Sequence, residues 1–81
     1  TMQKVYNSSM EKLSHPILGI TAANIRRLRK QLGLSQEELA DIAGCHRTYV
    51  GMVERAEINI TITNLHKIAT ALQVNIIELL K

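Results

Sequence analysis

The most constraining stretch of this sequence is SQEELADIAGCHRTYVGMVERA, from Ser35 to Ala56. Ser35 followed three residues later by Glu38 is the pattern of a reciprocal helix start, each side chain accepting from the other residue's backbone N–H. Ala40 is small enough to let a second helix cross closely. Gly44 permits a tight turn that a Cβ would oppose. Val50 and Val53 then give the second helix one buried face. Burying that face leaves Arg47, Thr48, Gly51, Met52 and Arg55 outward. Two short helices across one turn need the rest of the chain to hold them rigid.

The flanking sequence has the helical periodicity for that task. Over residues 20–32, Ile25, Leu28 and Leu32 share a face with Ala22 close by, while Arg26, Arg27 and Lys30 lie outside it. Gly33 is placed to end this helix. A further helix is expected over residues 63–72, with Leu65, Ile68, Ala69 and Leu72 in one stripe. Asn75 and Glu78 predict a second capping box for a last short helix ending near Leu80. Residues 1–16 are polar and weakly patterned, and the pre-proline His15 argues against a long helix there. They read as a flexible arm or a frayed helix, and residues 17–81 as the folded domain. Five helices with short connections make an all-α fold.

Composition limits what such a domain can do. The 81-residue chain is 46% hydrophobic yet has no Phe or Trp. A core of small aliphatic side chains packs well between short helices and poorly around a large ligand, so no small-molecule ligand is expected. The single cysteine excludes an intramolecular disulfide and suits a reducing, cytoplasmic setting. No apolar run approaches the ~20 residues that span a bilayer, so no membrane is expected as a partner. Cys45 falls where the turn buries it, and reads as a small core residue. His15, His46 and His66 lack the spacing of a closed zinc site, so neither metal nor cofactor is expected. Nothing resembles a catalytic pair, and the chain is read as no enzyme.

The net charge of +3 permits a polyanionic partner. An α-helix fits the major groove of double-stranded DNA, where Arg47 could contact guanine O6 and N7 bidentately. Thr48 could bond a base edge or meet a thymine methyl, and Gly51 keeps the surface low enough for close approach.

Residues 20–80 resemble the Cro/C1-type (XRE) helix-turn-helix family, on LRKQLGLSQEELADIAG and YVGMVERAEINITITNLHKIATALQV. HRTYVGMVER followed by NIT also resembles the controller proteins of restriction-modification systems. The resemblance implies a five-helix lambda-repressor-like DNA-binding domain. It implies that Gln36 holds a phosphate and helps read an outer base, that Arg47, Thr48 and Met52 contact bases, and that Tyr49 and Asn59 bond the DNA backbone. It also implies an internal salt bridge from Arg29 to Glu54. Beside such a motif, Arg26 or Arg27 becomes a candidate phosphate ligand, and His46 stands near a phosphate at the start of the motif's second helix. Arg55 could do the same or pair with Glu57.

Three residues depart from the family pattern. Met52 favours a thymine methyl over a hydrogen bond. Ala56 stands where glycine or asparagine is frequent, which predicts strain after the reading helix. Ile58 replaces a basic residue before Asn59. Finally, Ile76, Ile77, Leu79 and Leu80 cannot all face inward on one short helix. With Ile58 they form a candidate dimer surface. The expected function is a sequence-specific transcriptional regulator, a homodimer on a pseudo-palindromic operator. Two rival readings are an antitoxin-like interaction module with secondary operator binding, and a DNA-recognition domain appended to an enzyme such as a methyltransferase.

Overall fold

The computed structural model describes residues 15–81. The elements are α1 (Pro16–Gln31), α2 (Gln36–Ala43), α3 (Arg47–Glu54), α4 (Ile62–Ala71) and a closing 3₁₀ turn (Ile76–Leu79), with no strand among the described residues. The fold is all-helical as expected, with the fifth helix reduced to this turn. The expected arm falls on residues outside the described ones, except for His15 and Pro16.

Those two residues correct the expected start of the first helix. Pro16 occupies the first helical position, where its missing N–H costs nothing and its fixed φ suits the helix. His15 caps it, its Nδ1 accepting from the Ile17 N–H at 3.2 Å. The pre-proline His15 is itself extended, as expected, and the helix begins directly after it, four residues earlier than the expected start at Ile20. Ser35 and Glu38 form the predicted reciprocal box, at 3.0 Å and 2.8 Å. The second predicted box is half present. Asn75 accepts from the Ile77 N–H, while Glu78 turns to Lys81 at 3.1 Å.

All four helices end in the same hydrogen-bonded turn. The N–H groups of Leu34, Cys45, Glu57 and Val74 reach back to the carbonyls of Arg29, Ala40, Met52 and Ala69. That closure places one residue in the left-handed region. Gly44 takes it at φ 75° after α2, but Ala56 takes it at φ 57° after α3. The strain expected at Ala56 thus has a definite geometry.

Helix α2 packs on α3 and α4, while α1 lies against α3 and the closing turn. Ile25, Leu39, Val50, Ile68, Leu72 and Leu79 are all but inaccessible at the centre. Ala40 is buried at the close crossing of α2. Leu79 corrects one expectation: fully buried, it belongs to the core and cannot form a dimer surface. Ile58 and Ile76 are also half-buried against that core. Of the predicted apolar surface, Ile77 and Leu80 remain exposed. Asn24 fastens this end of the chain by donating to the carbonyls of Leu79 and Lys81.

Candidate nucleic-acid interface

Helix α3 has only eight residues, too few to be stable alone, so its orientation comes from its neighbours. Glu54 supplies the main anchor. Its carboxylate is 1% exposed and accepts from Arg29 Nε at 2.7 Å and Nη2 at 3.0 Å. Gln36 donates to the same carboxylate at 3.0 Å, and Arg29 Nη1 reaches the Leu34 carbonyl at 2.9 Å. One buried carboxylate therefore ties the end of α3 to α1 and to the start of α2. No buried side-chain polar atom among the described residues lacks a partner. The ion pair implied by the family resemblance is present, and the bidentate geometry fixes position as well as charge.

Two candidate ligands also have partners inside the protein. Arg26, exposed, donates from Nη1 to the Glu54 backbone carbonyl at the end of α3, which leaves its other N–H groups toward solvent. Gln36 turns its amide inward to Glu54. The face of α3 nonetheless forms one wall of a cleft of about 550 Å³, lined by Gln36, Arg47, Thr48, Gly51 and Arg55 among others. Arg47 and Thr48 are exposed on it, while Met52 is half-buried and does not line it. His46 is the cap of α3, its Nδ1 accepting from the Thr48 N–H at 3.1 Å.

Gly51 is also not as expected. It is buried, and a Cβ there would stand 3.0 Å from Arg55 Nη1 and 3.5 Å from Gln36 Oε1. The missing side chain makes room for the protein's own arginine instead of leaving an open approach. Arg55 is held there by Glu57, which accepts from Nε at 2.9 Å and Nη2 at 3.1 Å. These hydrogen bonds hold the Glu57 carboxyl below the usual carboxylate range and raise the Arg55 guanidinium above its own.

Tyr49 is half-buried against the core and Asn59 is exposed, and neither lines the cleft. The Tyr49 hydroxyl accepts from Asn64 Nδ2 at 3.0 Å, which leaves its own proton to donate outward. Sequence reasoning missed Asn64. It sits fifteen residues away on α4, in a position whose local signal is only that of a helix first turn. Cys45 is half-buried against the core, and desolvation pushes its thiol up.

Two short helices across the tight turn at Gly44, the second fastened by a buried carboxylate with Arg47 exposed on a cleft, have the architecture of a helix-turn-helix domain. The chain belongs to the helix-turn-helix family HTH_3, which matches residues 25–79. It is a DNA-binding transcriptional regulator of the XRE type. The control protein C.SmaI of Serratia marcescens is 49% identical over 61 residues, covering 75% of this chain and 73% of that protein. Two solved structures align closely. The restriction-modification controller protein C.AhdI of Aeromonas hydrophila has a TM-score of 0.77 at 43% identity, covering 80% of this chain and 98% of the other. A hypothetical transcription factor from Neisseria gives 0.79 at 45% identity, covering 80% and 75%.

Proposed function

We propose that this regulator binds a pseudo-palindromic operator as a homodimer, with α3 of each protomer in the major groove. The observation that carries the reading is the fastening of α3. The Arg29–Glu54–Gln36 network fixes the helix while leaving Arg47 and Thr48 exposed on the cleft. Arg47 contacts guanine, Thr48 a base edge and Met52 a thymine methyl. Tyr49, through its outward proton, and Asn59 bond phosphates, and His46 and Arg55 lie within the same face. Ile77 and Leu80 supply the apolar part of the dimer contact. A two-fold axis there sets the reading helices about one DNA turn, ~34 Å, apart.

Regulation follows from occupancy: a bound dimer blocks or recruits polymerase according to where the operator lies. Similarity to proteins named as control proteins, C.SmaI and C.AhdI, supports control of a restriction-modification system in the cytoplasm as its setting. Selection of bound duplexes from a random DNA pool tests the reading. The expected product is one motif with two inverted half-sites about one helical turn apart. Recovery of no enriched motif, or of a motif without symmetry, contradicts it. Affinity for the selected duplex falls with salt at a log–log slope near −0.9 per phosphate neutralised.

A further inference from the structure

Arg55 lies one turn beyond Gly51 at the end of α3, and its guanidinium folds back over that glycine. Its placement is fixed from two sides. Gly51 clears the space for Nη1, and Glu57 accepts from Nε and Nη2. Glu57 is itself brought back alongside by the left-handed turn at Ala56, its N–H bonded to the Met52 carbonyl at 2.9 Å. With Nε and one N–H of Nη2 committed to the carboxylate, the end-on pair of Nη1 and Nη2 keeps its remaining N–H groups, and Arg55 lines the cleft. That edge can match guanine O6 and N7.

Charge decides between a reading role and a phosphate-binding role. A carboxylate beside the DNA repels phosphates, so the Arg55–Glu57 pair contributes almost no net attraction to the polyanion. A phosphate ligand gains nothing from such a partner, whereas a base-reading arginine gains a fixed direction and a penalty against wrong sites. We infer that Glu57 is a positioning residue that aims Arg55, across Gly51, as a second guanine-reading arginine beside Arg47. The inference rests on the operator-binding function proposed above, and it assigns the pair to specificity instead of affinity.

The test compares the selected duplex with a scrambled duplex of equal length, at one salt concentration. Wild type, Arg47→Ala, Glu57→Gln, Arg55→Ala and the Arg55→Ala/Glu57→Gln double variant are titrated by fluorescence anisotropy. Thermal melts check that each is folded. Glu57→Gln is expected to bind the scrambled duplex as tightly as wild type or tighter, while losing about tenfold in discrimination. Arg55→Ala loses discrimination similarly, and the double variant loses no more than Arg55→Ala alone. A purely structural pair would lower both affinities together or shift the melt, and that result overturns the inference. So does unchanged discrimination in Glu57→Gln, or a loss that persists in the Arg55→Ala background. If wild type discriminates and Arg47→Ala does not, a normal Glu57→Gln overturns this inference alone. If wild type itself fails to discriminate, the proposed function falls and this inference with it.

Discussion

Replacing Glu54 by alanine removes the carboxylate that gathers Arg29, Gln36 and the end of α3. The pair is almost dry, with side-chain exposures of 12% for Arg29 and 1% for Glu54. Deleting one partner of such a pair leaves the other charge buried and uncompensated, at a cost of about 3–5 kcal/mol. Gln36 loses its acceptor in the same step. A domain of this length is stable by about 4–12 kcal/mol, so the loss consumes a large share of the total. Urea and thermal unfolding followed by circular dichroism should show a melting point lower by roughly 10 °C or more. An Arg29→Met/Glu54→Leu variant separates the stranded charge from lost packing. Removing both charges together is expected to cost far less than Glu54→Ala alone. A Glu54→Ala cost below about 1 kcal/mol would refute the argument that this carboxylate anchors α3.

Other perturbations read different parts of the molecule. Gly51→Ala is expected to raise stability by about 0.5–1 kcal/mol through helix propensity, because the displaced neighbour is the flexible tip of Arg55. The same variant should discriminate the operator less well, so a melt and an anisotropy titration must move in opposite directions. Ala56→Gly relieves the left-handed backbone at φ 57° and should stabilise by about 1 kcal/mol in urea titration. Ile77→Glu combined with Leu80→Glu should leave the fold intact and shift sedimentation toward monomer. Leu79→Glu is unsuitable for that purpose, because Leu79 lies in the core and its substitution should unfold the domain.

Much of the architecture was legible because local chemistry and helical period point the same way. Ser35, Glu38 and Gly44 mark the limits of α2 without help from distant residues. Val50 and Val53 were recognisable as buried because they share a face that excludes Arg47 and Thr48. The Arg29–Glu54 bond came from family resemblance, since nothing local couples residues 25 positions apart. What stayed hidden depends on tertiary contacts. Arg26 looks like any solvated arginine until α3 brings a terminal carbonyl against it. Asn64 shows no link to Tyr49 until the fold brings the first turn of α4 to the Tyr49 hydroxyl. Leu79 and Leu80 are equivalent in composition, and only the packing of the closing turn on α1 and α4 decides that Leu79 is buried and Leu80 exposed. Gly51 was read as a surface opening because its occupant, the Arg55 guanidinium, is positioned by Glu57 from beyond the helix.

In the proposed function, α3 reads sequence through its outer face while its anchors only hold it in place. Titration of Arg47→Ala against the selected and scrambled duplexes tests this most directly. The expected outcome is an unchanged melting point, a loss of about 1–3 kcal/mol on the selected duplex, and relaxed preference at the guanine it contacts. Equal affinity of wild type and Arg47→Ala for the selected duplex would contradict it.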